Sequence, residues 1–124
     1  MNYRLVSINS KNLSKKEINE ICKLKNTEWK YGIKSQMIWY KKNVKKDDLH
    51  NLFYIGSKLI GYTLLRKRSY KFNFSAKQKK YLLFDALVLD KKFRRKNLSN
   101  LLMFFNNSII EQSGLFAFLM CKKK

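Results

Sequence analysis

The stretch YLLFDALVLDKKFRRKNLSNLLMFFNNSIIEQS, residues 81–113, decides the fold of this chain. Tyr81 to Leu89 is almost continuously apolar, interrupted only by Asp85, which is typical of a central strand covered on both faces. Further along, apolar residues recur at helical offsets of three, four and seven, namely at Leu98, Leu101, Leu102, Phe105 and Ile109. Gly114 can take the left-handed conformation that ends a helix. The stretch therefore predicts a buried strand, a basic loop and an amphipathic helix.

Strands are predicted on both sides of this unit. Leu115 to Cys121 reads as a final strand, which a right-handed connection should place parallel to the buried one. Upstream, Asn51 to Ile55 and Lys58 to Arg68 are two strand-like runs joined by the short turn Gly56-Ser57. The polar, basic stretch Ser69 to Lys79 is either a loop or a fraying hairpin.

The N-terminal third predicts one strand and two helices. Tyr3 to Ile8 alternates as a strand does, and Ser14 with Glu17 has the spacing of a capping box. The helices are expected from about Lys15 to Glu28 and from Lys34 to Asn43. The predicted fold class is α/β (α+β), with a mixed central sheet flanked by helices in the order β-α-α-β-β-β-α-β. The chain has 124 residues, which suits a single domain over 1–124.

The charge of the chain is strongly positive. With 28 Lys and Arg residues against 8 Asp and Glu residues, the formal net charge is +20. Such a field attracts nucleic acid, anionic membrane surfaces or phosphorylated small molecules, unless it only reflects a lysine-rich, solvated surface. Apolar runs are too short to span a bilayer, and Cys22 and Cys121 suit free thiols in a reducing cytoplasm. One histidine and two cysteines without ligand spacing predict no metal site.

The basic loop before the predicted helix is a candidate anion site. The first N–H groups of a helix lack intrahelical partners and carry partial positive charge. A diphosphate bound there would also meet Arg94, Arg95 and Lys96. The alternative is an ordinary strand-to-helix connection on a very basic protein.

The residues of this loop resemble those of a known family. Phe93 to Ser99 is similar to the pyrophosphate loop of GNAT N-acetyltransferases, in which an aromatic residue precedes [QR]-x-x-G-x-[GA]. Arg94 matches the first position and Ser99 the small final one. Asn97 replaces the first glycine, and asparagine is among the residues that best tolerate a left-handed conformation. The strand Asp85 to Leu89 resembles the family's central acyl-CoA strand.

The resemblance implies an N-acyltransferase that uses acetyl-CoA, or another acyl-CoA, as cosubstrate. The acceptor would be an amine on a small molecule or a protein. Backbone N–H groups beside a bulge in the central strand would hold the thioester carbonyl, here from Leu87, Val88 and Leu89. The residues implied to bind the diphosphate are Arg94, Arg95, Lys96, Asn97, Leu98 and Ser99.

Two residues are candidate catalytic bases. Asp85 lies where family members often carry an acidic residue, and its apolar neighbours would raise its proton affinity. The alternative is a carboxylate paired with a lysine or arginine. His50, the only histidine, is the second candidate, with an ordinary surface histidine as the alternative. Four aromatic residues in the helical region are either core packing or one wall of a substrate cleft: Trp29, Tyr31, Trp39 and Tyr40.

Other functions also remain open from the sequence. Family members usually continue past the strand matched by Leu115 to Cys121, so the chain is expected to be short at its C-terminus, with an open sheet edge suited to a homodimer. A related fold that binds CoA or a nucleotide without turnover is one alternative. A nucleic-acid-binding module is another, based on the net charge and on aromatic residues among lysines at Tyr70, Phe72 and Phe74.

Overall fold

A computed structural model describes residues 2–71, 74, 77–94 and 97–119. Its helices and strands follow the predicted order: β1 (Tyr3–Asn9), α1 (Lys15–Glu28), α2 (Ile33–Asn43), β2 (Leu49–Ile55), β3 (Lys58–Lys71), β4 (Gln78–Leu89), α3 (Leu98–Ser113) and β5 (Phe116–Leu119). The mixed α+β fold predicted from the sequence is thereby confirmed. Arg95 and Lys96 of the basic loop, together with Phe72 and Cys121, lie outside the described residues.

Local sequence signals set several of these boundaries. Glu17 N donates to Ser14 Oγ at 3.1 Å and Ser14 N donates to the Glu17 carboxylate at 2.8 Å, so the capping box starts α1 as predicted. Gly114 ends α3 with φ of 68°, and Gly56 opens the β2–β3 turn with φ of 57°. No helix within the part of the chain that is described is both long and apolar enough to cross a membrane.

The five strands form one sheet in the order β1-β2-β3-β4-β5. Neighbouring strands are antiparallel from β1 to β4, whereas β5 runs parallel to β4, as predicted. Of the two interpretations of Ser69 to Lys79, the hairpin is favoured by the described residues, because β3 continues to Lys71 and β4 begins at Gln78 opposite it. Tyr70 packs its ring 5.8 Å from that of Tyr81 on the neighbouring strand, which supports this extension.

One face of the sheet is covered by α1 and α2. Ile21 and Leu24 of α1 belong to a buried cluster that also contains Tyr62, Leu64 and Val88 from the sheet. Cys22 of α1 is a buried free thiol, as expected. The apolar stripe of α1 thus fixes this helix across the centre of β3 and β4.

The other face of the sheet is covered by α3. Leu98 and Leu102 are buried against Phe53 and Leu89. A Cβ atom at Gly61 would lie 3.1 Å from side-chain atoms of both Leu102 and Leu89, so the absence of a side chain there lets α3 pack closely on β3. This contact places the N-terminus of α3 near the end of β4.

The connection from α2 to the sheet is fastened by a buried aspartate. The Asp48 side chain is 0% exposed, and its Oδ1 atom accepts from Arg68 Nη1 at 2.7 Å. The backbone N–H groups of Lys67 and Lys45 donate to the same carboxylate at 2.8 and 2.9 Å. Two segments of the chain, the α2–β2 connection and strand β3, are therefore joined at one carboxylate.

Candidate active site

A β-bulge in β4 defines the centre of the candidate site. Leu64 of β3 lies opposite Ala86, and Leu65 lies opposite Phe84, so Asp85 is an extra residue on β4. A bulge interrupts the alternation of side chains and can turn a side chain toward a site. Asp85 and Ala86 accordingly both face the cleft between the sheet and α1–α2.

The cleft above this bulge is a cavity of about 630 Å³, which lies within the range of ligand sites. Its lining comprises Lys25, Trp29, Tyr31, Ser35, Gln36, Trp39, Asn43, Arg66, Asp85 and Ala86. Three of the four aromatic residues noted in the sequence thus form a wall of the cavity. Trp29 and Trp39 also pack against the core, as one interpretation expected, and their role as the wall of a substrate cleft stays a prediction. Tyr40 instead stacks on His50, with 5.8 Å between ring centroids.

Asp85 is paired with an arginine inside this cavity. Arg66 Nη1 donates to Asp85 Oδ2 at 2.8 Å, and the two side chains are only 17% and 12% exposed. The alternative considered from the sequence, an Asp85 carboxylate paired with a lysine or arginine, is therefore confirmed. Both groups line the cavity, so the ion pair holds the carboxylate at the surface that a ligand would contact.

Lys25 of α1 contributes a second cation to the cavity. The residue is only 8% exposed, and its ammonium lies 4.0 Å from the centroid of the Trp39 ring. Burial lowers the pKa of Lys25, an effect that Cys22 and Asp85 partly offset. Sequence reasoning missed both Lys25 and Arg66. Lys25 lies four residues after Ile21, on the buried stripe of α1, and this spacing could have indicated that its side chain is buried.

The pairing of β4 with β5 can be followed only as far as Leu119, where the described part of β5 ends. Pairing in the described residues runs only from Tyr81 opposite Phe116 to Phe84 opposite Leu119. Leu87 is 42% exposed, although Ala86 and Val88 on either side of it are buried. The β4 backbone from Leu87 to Leu89, predicted to hold the thioester carbonyl, therefore lies directly after the point where the described pairing ends.

The N-terminus of α3 follows the end of β4 after a short connection. Asn97 is the residue before the helix and has φ of 56° and ψ of 17°, the left-handed conformation expected for a residue at the glycine position. Its side chain makes no capping hydrogen bond, and the first turn contains no acidic residue. Leu98 is buried against the core, whereas Asn97 is exposed and Ser99 is half-buried. The first amides of α3 are thus suited to an anion.

Arg94 is already engaged by the protein. Its Nη2 atom donates to Glu28 Oε2 at 2.6 Å, and its Nε atom donates to the carbonyl oxygen of Leu89 at 3.1 Å. The residue therefore ties the loop after β4 to the end of α1. A role for Arg94 in binding phosphate stays a prediction, since the guanidinium would have to exchange Glu28 for the ligand.

His50 lies in the core. The expectation of an ordinary surface histidine is wrong, because the residue is 0% exposed. Its Nε2 atom is 2.6 Å from Ser10 Oγ, and its Nδ1 atom is 2.5 Å from the hydroxyl of Tyr62. His50 does not line the 630 Å³ cavity, so this geometry does not favour its predicted role as a base.

The buried His50 makes the stability of the protein depend on pH. Burial lowers the pKa of His50 from 6.5 to about 4, so the unfolded chain binds more protons between these values. We expect the free energy of unfolding to fall by about 2 kcal/mol from pH 7 to pH 5 on this account. Urea denaturation of the wild type and of His50→Gln checks this, because the variant should lose that share of the pH dependence. Equal pH dependence in both proteins would contradict the prediction.

Several solved structures resemble this fold. A possible acetyltransferase from Clostridium difficile 630 superimposes with a TM-score of 0.74 at 12% identity, over 98% of this chain and 81% of that one. A GNAT family acetyltransferase from Staphylococcus aureus gives 0.69 at 20% identity, over 100% and 89%. The aminoglycoside N-acetyltransferase AAC(6')-Iy in complex with CoA gives 0.70 at 10% identity, over 98% and 78%. No family model and no curated protein sequence matches this chain.

These similarities establish the architecture. The chain has the GNAT N-acetyltransferase fold, which confirms the resemblance seen in the loop and the strand before it. Because the identities are low, the activity has to be argued from the residues of the site.

Proposed function

We propose that this chain is an acyl-CoA-dependent N-acyltransferase that transfers an acetyl or related acyl group to an amine. The observation that carries the proposal is the bulge at Asp85. It places a carboxylate in an aromatic-walled cavity on one side of β4, shortly before the backbone of Leu87 to Leu89 on the same strand. The fold is that of solved acetyltransferases, one of them in complex with CoA.

Two parts of one bound cofactor molecule are expected to contact different elements of this chain. The diphosphate would be held by the first amides of α3, with Asn97 and Ser99 beside it, and by the loop that contains Arg94, Arg95 and Lys96. The pantetheine arm would follow β4, where backbone N–H groups from Leu87 to Leu89 would donate to the thioester carbonyl oxygen. Such preorganised donors stabilise the negative charge that develops there during acyl transfer.

The acceptor amine is expected in the 630 Å³ cavity. Asp85 would accept a proton from the amine as its nitrogen attacks the carbonyl carbon. Arg66, 2.8 Å from Asp85, fixes the orientation of that carboxylate. The new C–N bond replaces the C–S bond, and CoA leaves as a thiolate that becomes the thiol by taking a proton from solvent, to which Asp85 would return the proton of the amine.

Two measurements test this proposal directly. Acetyl-CoA should raise the melting temperature, because a ligand that binds only the folded state stabilises it. Free thiol should be released when an amine acceptor is added. Stabilisation by CoA with no thiol release for any amine would favour the non-catalytic alternative. Salt-sensitive binding to random oligonucleotides without a CoA shift would favour a nucleic-acid-binding module.

The homodimer expected through β5 stays a prediction. The side chain of Phe116 in this strand is 79% exposed, as an aromatic residue at such a contact would be in the single chain.

Substitution of Asn97 tests the diphosphate site. Asn97→Glu is expected to weaken acetyl-CoA binding by about tenfold or more, because its carboxylate would lie beside the ligand phosphates at the α3 N-terminus. Asn97→Gly should bind at least as tightly as the wild type, since glycine adopts the observed φ of 56° without strain. Isothermal titration calorimetry measures both constants.

A matched control is available further along the same helix. Asn107 is exposed in the middle of α3, so Asn107→Glu makes the same change of charge away from the helix terminus. Its affinity for acetyl-CoA should stay close to that of the wild type. If Asn97→Glu and Asn107→Glu bind alike, the diphosphate does not bind at this loop.

A further inference from the structure

Lys25 is a largely buried lysine whose ammonium forms no ion pair within the described residues. Among the residues that the structure describes, its ammonium makes no ion pair and no hydrogen bond, and its recorded contact is the face of the Trp39 ring. A buried charge that is left unpaired is destabilising, so such groups usually have a partner. Because Lys25 lines the cavity, a ligand can supply the partner that the protein does not.

Arg66 also lines the cavity and has a buried donor without a partner among the described residues. Its Nη1 atom binds Asp85, but its Nε atom is buried and has no hydrogen-bond partner within the described residues. The Arg66 guanidinium also lies 5.8 Å from the centroid of the Trp39 ring, the ring that Lys25 contacts. The Lys25 ammonium and the Arg66 guanidinium thus both lie near the Trp39 ring, and each has a hydrogen-bond donor that no described residue satisfies.

The fixed charges of the cavity favour an anion. Lys25 and Arg66 line it with one acidic residue, Asp85, and that carboxylate is already bound to Arg66. Burial lowers the pKa of Lys25 and Asp85 offsets this only in part, so a bound anion would further stabilise the charged ammonium. A polycationic amine would increase the net positive charge of the cavity, whereas a carboxylate would neutralise it.

We propose that the acceptor of this site is an amine that also carries an anionic group, such as an amino acid, with its anion bound between Lys25 and Arg66. The reaction in this proposal depends on the function proposed above, whereas the charge preference of the cavity does not. The ammonium or amine end of the acceptor then lies toward Asp85. The aromatic wall of Trp29, Tyr31 and Trp39 holds the body of the acceptor.

Matched ligands test the preference without any cofactor. Indole-3-propionate carries a carboxylate and no amine, tryptamine carries an amine and no carboxylate, and L-tryptophan carries both. Calorimetric titration of the wild type at physiological salt should show that indole-3-propionate binds at least tenfold more tightly than tryptamine. Equal affinities, or tighter binding of tryptamine, would overturn the proposal.

A pair of lysine variants assigns the preference to the cavity rather than to the overall positive charge. Lys25→Met should reduce the difference between the two ligands to less than threefold. Lys23→Met removes an exposed lysine from the same helix and should leave the difference intact. Circular dichroism confirms that both variants fold. A preference that survives in Lys25→Met, or that Lys23→Met abolishes equally, would also overturn the proposal.

The catalytic arm separates this inference from the proposed function. With acetyl-CoA present, L-tryptophan should release thiol at least tenfold faster than tryptamine. Faster release with tryptamine would overturn the inference while supporting the acyltransferase. Absence of any effect of acetyl-CoA on melting temperature would overturn the proposed function, whereas the binding preference measured without cofactor would still support the anion site.

Discussion

Asp85→Asn is expected to lower kcat for acyl transfer by about 100- to 10,000-fold, the usual contribution of a positioned general base. Asparagine has nearly the same shape as aspartate but cannot accept the proton of the attacking amine. Acetyl-CoA contacts other parts of β4 and α3 in the proposed complex, so its affinity should change by less than about threefold. Thiol release at saturating substrate measures kcat, and calorimetry measures the affinity.

The matched control for this result is Asp47→Asn, which changes the same functional group at an exposed position outside the cavity. It should keep the wild-type kcat. Because Asp85→Asn also breaks the ion pair to Arg66, melting temperatures of both variants are compared with the wild type. Wild-type turnover in a folded Asp85→Asn protein would exclude Asp85 as the base.

Asp48→Ala is expected to lower the free energy of unfolding by about 3–5 kcal/mol, because it leaves a buried cation without its partner. The Arg68 side chain is only 14% exposed and would lose its carboxylate. The N–H groups of Lys45 and Lys67 would lose their acceptor as well. Such a loss is a large part of the total stability of a typical domain, and urea denaturation measures it.

The neighbouring residue supplies the control for this prediction. Asp47 is exposed whereas Asp48 is fully buried, so Asp47→Ala removes the same carboxylate one position earlier in the chain. That variant should stay within about 0.5 kcal/mol of the wild type. Similar losses in both variants would show that the network around Asp48 is not what fastens α2 to the sheet.

Strong local patterns made most of the fold predictable. The capping box at Ser14, the apolar stripe of α3 and the turn at Gly56 are properties of neighbouring residues, and the structure confirms each of them. The hairpin after Ser69 was left open, because its pairing depends on two strands meeting across the sheet rather than on either sequence alone.

The candidate site was predictable only in part. Asp85 and Asn97 were identified from a motif, and the structure puts one on the bulge and the other in a left-handed conformation at the start of α3. Lys25 and Arg66 belong to elements far apart in the sequence, and no local pattern indicates that they share a cavity with Asp85. His50 was expected at the surface, yet it is buried on a face of the sheet where the Tyr40 ring of α2 stacks on it.

The amino-acid sequence by itself determined the order of helices and strands, the ends of α1 and α3, and the strong positive charge, because these follow from spacing and composition. Only the tertiary structure decided which charges meet. Burial of Lys25 against Trp39 and pairing of Arg66 with Asp85 depend on packing between distant segments. Local periodicity specifies which face of an element is buried, whereas the partners on that face are fixed only when the sheet and helices assemble.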